Sequence, residues 1–535
     1  MKQVNLVNYI YCDNIYVKAL AHPVGLITMQ QIINKKSENI RINVIDPNIE
    51  LYYGNMSADD IIKGKFDYLV DYILRNNPET VGFSTIADTF DVTLRLAMAV
   101  REKSSTTKII LGGPQASALA TDIMETCLFV DMIFIGEGEI WMLPALEYLT
   151  DGGDETKLVN VVYRKNGKII SSKIQNDFID LNSLPIIEYG DGKEYDMIEL
   201  EIGRGCPYNC YFCSTNRFWK QHFRIKSVDR MINEIKYYVN KFGNKKTFSF
   251  THDLFTLNRD YVMCLCKKIE EEKIEFRWGC SARADTLDEE MLKMMKKAGC
   301  RAIFIGVESG SPRMQKIIRK NLNLEYLMEI LDILKRIGMQ SRLSFIYDFP
   351  EEKQEDFEKT LDLIKKIKYR YGFTSMIGRC TFYPQTDLFK NYFDKMDTRN
   401  YFPKNRLSTQ NTQFILDNKK LFSAYFTYRE VDFYGNIENF INYYLNILYF
   451  YFEATMRKLM ESFESLIELY EFLREFTDNE SDKLLQDEVV ISDKEGVMRM
   501  CRDFGRYIKE KCSGKCDAEI EFDMMFLENK LSVRK

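Results

Sequence analysis

The stretch "RGCPYNCYFC" places Cys206, Cys210 and Cys213 at the spacing Cys-x-x-x-Cys-x-x-Cys. Three thiols this close can hold a metal, pair as a disulfide or stay reduced. A disulfide fails on parity, and the thirteen cysteines of this 535-residue chain are expected to be mostly reduced thiols. A structural zinc site takes four protein ligands, often as two separated pairs. No fourth Cys or His stands at ligand spacing here, and the nearest, His222, follows the bulky "NRFWKQ". An iron–sulfur cube held by three thiolates is a different case, because it leaves one iron open to a substrate or cofactor.

Two runs of alternating elements must position these thiols. In the first, strands "NLVNYIY", "INVID", "TVGFST", "KIILGG" and "DMIFIGEGE" are separated by helical patterns such as "HPVGLITMQQIINKK" and the segment from Ser57 to Arg75. This alternation predicts an α/β fold with a doubly wound, Rossmann-like parallel sheet over residues 1–155. Its ligand belongs at the carboxyl ends of the strands. A hairpin turning at Asn166-Gly167 and a polar connector fill residues 156–194. The alternation then restarts over residues 195–390 with "MIELEI", "TFSFTH", "FRWGCSA", "AIFIGVES", "RLSFIYDFP" and "SMIGRCTFYP". Six βα units fall short of a closed eight-fold barrel, so an open, partial barrel is expected. The cysteines follow its first strand, on the side where βα loops carry chemistry. Residues 391–535 read as mostly helical and rich in Tyr and Phe, a pattern expected to pack as core and to close over the barrel mouth.

In the first sheet, Gly112-Gly113 and Gly136-Glu137-Gly138 follow buried strands, where glycine lets a bulky planar ligand approach the backbone. Ser84 and Thr85 add hydroxyls at a third strand end. Any one of these turns alone would be structural; three together favour a ligand.

With a strand before Cys206 and the aromatic Phe212 before Cys213, the barrel segment resembles the radical S-adenosylmethionine superfamily. "FTHDLFT", "GCSARAD", "IFIGVESGS", "FIYDFPEE" and "TFYPQTDLF" extend the likeness through the later strands in order. The resemblance implies that Cys206, Cys210 and Cys213 hold a [4Fe–4S] cluster and that Phe212 turns its backbone towards adenine. It further implies that Asp253, Ser281, Arg283, Glu308 and Ser309 hold S-adenosylmethionine, although Arg283 and Glu308 could instead form a structural ion pair. The amino-terminal sheet resembles the cobalamin-binding domain fused to many such enzymes, through "HPVGL", "VGFST", "IILGGPQAS" and "DMIFIGEGE". That implies a cobalamin facing Ser84, Thr85, Gly112, Gly113, Gly136, Glu137 and Gly138. Many cobalamin proteins ligate cobalt from an Asp-x-His-x-x-Gly motif, which this chain lacks; its histidines are 22, 222 and 252. The lower face is therefore expected to lack histidine, with His22 as a packing residue and His252 either at the active site or as a bonded loop residue.

The activity so implied is reductive cleavage of S-adenosylmethionine to a 5′-deoxyadenosyl radical, most commonly to methylate an unactivated carbon of a small molecule or peptide. Cyclisation or rearrangement on the same machinery is the alternative. A methylthiotransferase is weaker, because it needs three cysteines in the amino-terminal domain, which holds only Cys12 and Cys127. A flavodoxin or ferredoxin is the expected electron donor. The net charge of −5, of mixed sign, gives no reason to expect nucleic acid. The most apolar segment, "LNILYFYFEA", is too short to span a bilayer, and no signal peptide is legible, so a soluble, cytoplasmic protein is expected. Cys501, Cys512 and Cys516 are expected to be free thiols rather than a second metal site. Iron analysis of the anaerobically reconstituted protein decides this: about four irons per chain is expected, and about eight would require a second cluster.

Overall fold

The computed structural model describes residues 1–10, 20–190, 195, 197–397, 412–429, 437–486, 494–512, 515–525 and 527. Cys12 lies outside them. The first sheet contains β1 (Lys2–Val7), β2 (Ile40–Ile45), β3 (Thr80–Ser84), β4 (Lys108–Gly112), β5 (Met132–Phe134), β6 (Val161–Lys165) and β7 (Lys168–Ser171), in the order β2-β1-β3-β4-β5-β6-β7. β1 to β5 pair in parallel, and apolar runs such as Ile109–Leu111 are buried on both faces by flanking helices. The hairpin β6–β7 continues this sheet antiparallel, turning through Asn166 (φ 49°) and Gly167 (φ 74°). Two left-handed residues in succession give the tight turn that matches strand twist. The span from Ser57 to Arg75 forms two short helices, Ala58–Ile62 and Asp67–Ile73, interrupted where Gly64 adopts φ 69°.

The second sheet is formed by β8 (Met197–Glu201), β11 (Thr247–Thr251), β12 (Arg277–Ala282), β13 (Cys300–Glu308), β14 (Gln340–Tyr347) and β15 (Thr374–Arg379). Between β8 and β11 lies a small ribbon of β9 (Gly203–Arg204) and β10 (Arg224–Ile225). All six strands pair in parallel in the order β15-β14-β13-β12-β11-β8, leaving β8 and β15 as edges. The expected partial barrel is therefore open. Alternate residues divide the two faces. Ile198, Leu200, Phe248, Phe250, Trp278, Ile303, Ile305, Leu343 and Phe345 join the helices in one apolar core. Glu199, Ser249, Ser281, Phe304, Arg342 and Met376 occupy the opposite, inner face.

The helical carboxyl-terminal region covers an edge before it covers the mouth. A π-helical turn, Phe440–Leu445, places Asn442 against β15, where its side chain accepts from the Ile377 amide and donates to the Ile377 carbonyl, both at 2.7 Å. Asn446 donates to the Ser375 carbonyl at 2.8 Å. Side-chain amides thus serve backbone groups that a neighbouring strand would otherwise take. At the mouth, Arg429 donates to Asp348 Oδ1 (2.9 Å) and to the carbonyls of Phe349, Pro350 and Glu352, fixing the loop after β14.

Trp278 anchors the barrel core: fully buried, it stacks on Phe250 with ring centroids 4.3 Å apart and donates Nε1–H to the Ala298 carbonyl at 2.8 Å. Trp278→Ala is expected to cost about 3–5 kcal/mol, read as a lower thermal midpoint in circular dichroism.

Candidate functional site

The strand β9 leads directly into the three cysteines, and its two residues carry unusual constraints. A side chain at Gly203 would overlap the Arg224 carbonyl and the His252 ring. Gly205, at φ 91°, has no room for a Cβ against the His222 carbonyl. Only glycine permits this turn. Between them, the Arg204 guanidinium is buried and meets three carboxylates: Glu201 (2.7 Å), Glu137 (2.8 Å) and Glu139 (2.8 Å). Burial alone would disfavour its charge, and the three carboxylates hold it on. Glu137 and Glu139 belong to the first sheet's loops, so Arg204 ties the two domains together. Arg224 adds a second cation to Glu137 at 2.5 Å, and the Trp219 ring lies under both guanidinium groups.

The thiols of Cys206, Cys210 and Cys213 are partly buried and unpaired with one another. Cys213 N–H donates to the Cys210 carbonyl (3.2 Å), closing the turn, and Tyr211 N–H donates to the Ile318 carbonyl (3.0 Å). Burial pushes the Cys206 thiol up to about 11. Burial raises Cys210 as well, opposed by the cations Lys320 and Arg283. These cations favour the thiolate that iron requires. Among the described residues no three His, Cys, Asp or Glu side chains gather as ligands of a single ion. Three thiols on one loop, reduced and faced by cations, fit a multi-iron cluster.

The residues expected around S-adenosylmethionine separate into two kinds. Asp253 accepts from Gly205 N–H at 2.7 Å and also bonds Trp219 and Thr215, so its carboxylate braces the cysteine loop. Ser309 is fully buried and bonds Thr360 (3.2 Å) and Ser311 N–H (3.1 Å), a packing role. Arg283 and Glu308 do not pair with each other. Arg283 chelates Asp285 (2.9 and 2.8 Å), donates to the Lys320 carbonyl and lies over the Tyr208 ring, with its other nitrogen 4.0 Å from Cys210 Sγ. Glu308, at φ 71°, accepts from Lys320 at 2.9 Å. Phe212 meets Phe349 with ring centroids 5.8 Å apart. Ser281 stays on the inner face of β12, partly exposed. His252 proves a loop brace: Nδ1 accepts from Leu254 N–H (2.8 Å), leaving Nε2–H towards the Arg224 carbonyl (3.3 Å).

Against the same clasp lies a cavity of about 350 Å³, walled by Leu6, Met29, Gly112, Gly136 and Gly138 of the first domain and by Glu201, Arg204 and Trp219 of the barrel. Ser84 and Gly113 also line it. Thr85 does not: its hydroxyl donates to the Gly112 carbonyl (2.7 Å) and accepts from Ala116 N–H (2.9 Å). Glu137 lines the cavity but spends its carboxylate on Arg204, Arg224 and Ile179 N–H, a clasp rather than a free ligand contact. A Cβ at Gly112 would meet only Phe134, at 3.9 Å, and one at Gly136 would meet nothing within 4 Å. The two glycines therefore leave open space where other residues would fill it, a mostly apolar slot suited to a large planar ligand.

Residues 200–364 match the radical SAM superfamily and residues 14–143 the B12 binding domain. The chain therefore combines a B12 binding domain with a radical S-adenosylmethionine domain. It is 27% identical to an uncharacterised methyltransferase of Pyrococcus horikoshii, over 69% of this chain and 78% of that protein. It is 23% identical to the anaerobic magnesium-protoporphyrin IX monomethyl ester cyclase of Rubrivivax gelatinosus, over 62% of this chain and only 61% of the cyclase. Its fold matches the radical S-adenosylmethionine methyltransferase TsrM of Kitasatospora setae, solved with cobalamin and a [4Fe-4S] cluster, at TM-score 0.60 and 15% identity, over 74% and 78% of the two chains.

Arg204, Arg224, Trp219, Tyr208 and Lys320 join the site although no motif in the sequence marks them. The available signal was position: Arg204 lies between a buried strand and the first cysteine, and "GEGE" offers carboxylates at a strand end. Gly112→Val fills the cavity without touching the cysteine loop. Retained cobalamin after desalting should fall at least tenfold while iron content stays at the wild-type value, both read by absorbance and metal analysis.

Proposed function

We propose that this enzyme methylates an unactivated carbon of a small molecule or peptide, binding a [4Fe–4S] cluster, S-adenosylmethionine and cobalamin. The observation that carries the reading is the shared wall: Arg204, which borders the cavity assigned to cobalamin, is two residues from Cys206. When bound, the cluster supplies the electron that cleaves S-adenosylmethionine, and cobalamin carries the methyl group. The chain's own residues position and protect. Cys206, Cys210 and Cys213 would hold the cluster, which would supply the reducing electron to S-adenosylmethionine. Lys320 and Arg283 supply positive charge beside Cys210. Ser281 and Phe304 face the barrel interior across the β12–β13 pairing, and Phe304 is exposed there as an apolar wall. Arg204, Trp219 and Asp253 hold the cysteine loop against the first domain and keep bulk water from the junction. A flavodoxin or ferredoxin delivers the electron. Among the described residues no helix is long and apolar enough to cross a membrane.

Cyclisation is the second reading, favoured by the likeness to the cyclase. Product counting separates the two. Under reducing, anaerobic conditions methylation consumes two molecules of S-adenosylmethionine per turnover, one giving 5′-deoxyadenosine with methionine and one giving S-adenosylhomocysteine. Equal amounts of the two nucleoside products, both lost in Cys210→Ala, are expected. 5′-Deoxyadenosine without S-adenosylhomocysteine would transfer the assignment to cyclisation or rearrangement.

A further inference from the structure

The cysteine loop has an outer side that the cobalamin cavity does not use. Pro207 and Asn209 are exposed on it, so little chain separates the thiols from water. Two segments grip Tyr211, the buried residue that follows Cys210. In one, the Ile318 carbonyl accepts Tyr211 N–H at 3.0 Å. In the other, Leu388 N–H donates to the Tyr211 carbonyl (3.2 Å) and Asn391 donates to its hydroxyl (2.9 Å). Both segments turn cations outward. Lys320 reaches inward to Glu308, whereas the Arg319 guanidinium lies over the Tyr211 ring, 5.3 Å from its centre. Arg319 and Arg217 each meet Asp387 at 2.6 Å, and Lys390 lies 3.9 Å from the same carboxylate. The side chains of Arg319 and Lys390 are 45% and 59% exposed. Lys316, whose carbonyl accepts Arg319 N–H, is exposed as well. The acids here are already engaged: Asp387 by these cations, and Glu351 by the Tyr392 hydroxyl at 2.9 Å. Four cations thus face two carboxylates, a local positive excess on a chain of net charge −5. Exposed ion pairs contribute little, so these cations can re-pair with an incoming carboxylate.

We propose that this face, formed by Arg217, Lys316, Arg319 and Lys390 over the cysteine loop, docks a small acidic electron-transfer protein. The inference rests on the reading above, in which the three thiols hold the cluster. One electron leaves the reduced flavin or iron–sulfur centre of that donor and enters the cluster. The donor is oxidised and the cluster reduced by the same single electron. The loop's other side is tied to the first domain through Arg204, and the outer side is open among the described residues. Complementary charge governs the encounter rate and register of such a contact, and salt screens it.

The test uses the full-length, cluster-loaded enzyme with a flavodoxin and with a ferredoxin. Lys316→Glu/Lys390→Glu reverses two exposed charges and leaves Tyr211 and the thiols in place. Binding is read by calorimetry at low ionic strength, and cluster reduction by stopped-flow absorbance. The double variant should bind the donor about fivefold or more weakly and be reduced by it correspondingly more slowly. Its reduction by dithionite, iron content and circular dichroism should match the wild type. Raising salt should weaken the wild-type complex more than the variant's. Lys35→Glu/Lys36→Glu, at the end of the helix Val24–Lys36, makes the same change in net charge and should bind as the wild type does. Unchanged binding in Lys316→Glu/Lys390→Glu, an equal loss in the Lys35/Lys36 control, or a wild type that binds neither donor overturns this inference. A dithionite-reducible cluster in that same protein leaves the reading beneath it standing. Protein that takes up no cluster on reconstitution overturns that reading and this inference with it.

Discussion

A single buried guanidinium sets the relation between the two halves of this molecule. Arg204 is held by carboxylates from β8 and from the loop after β5, 67 residues away in sequence for Glu137. Withdrawing such charges from water costs several kcal/mol per ion, and the mutual attraction repays it only when the geometry is good and every donor is used. Here Nε and both terminal nitrogens have carboxylate partners, and Trp219 closes one face. An apolar contact of equal area could be as stable, but it would tolerate sliding. A fork of directed bonds does not. Removing one partner of a buried ion pair typically costs about 3–5 kcal/mol because the rest stay buried. The clasp therefore specifies one docking geometry more than it adds stability.

That specificity matters because Arg204 adjoins the cysteine loop. Gly203 and Gly205 let the ribbon run too close to Arg224 and His222 for any side chain. Asp253, at the end of the next barrel strand, then receives Gly205 N–H. Three restraints from three directions fix where Cys206 begins. The cavity and the thiols are consequently positioned by the same few bonds. An enzyme that must bring two cofactors to one substrate carbon needs a rigid distance between them.

Much of this was legible in the sequence, for reasons of period and spacing. The barrel strands alternate sharply: in "TFSFT" both phenylalanines enter the core and the serine faces inward. The cysteine spacing stood out because few chemistries use three thiols in eight residues. The first sheet was legible as buried runs ending in glycine. Individual roles were less so, because a side chain's task depends on partners that the sequence does not place nearby. Asp253 and Ser309 sit in the right segments but spend their polar atoms on Gly205 and Thr360. Thr85 ends a strand as expected, yet turns its hydroxyl away from the cavity to bond Ala116. Glu137 reads as a strand-end carboxylate and becomes an interdomain tie. Arg283 and Glu308, each expected at the ligand or paired together, instead found Asp285 and Lys320.

The edge of the barrel makes the same point from the opposite direction. A six-stranded open sheet leaves β15 with unpaired backbone groups, a surface prone to unwanted strand addition. The chain answers with a helix rather than a seventh strand. Continuing the sheet would advance barrel closure and narrow the inner face that Ser281, Phe304 and Arg342 share. A helix satisfies the edge while keeping the barrel open, and the four-residue spacing of Asn442 and Asn446 puts both on one helical face, towards alternate residues of β15. The aromatic richness of this region follows: Phe440, Tyr444 and Leu448 pack into the barrel's own apolar core. Their periodicity is that of a core helix, and the same helix caps the free edge of β15.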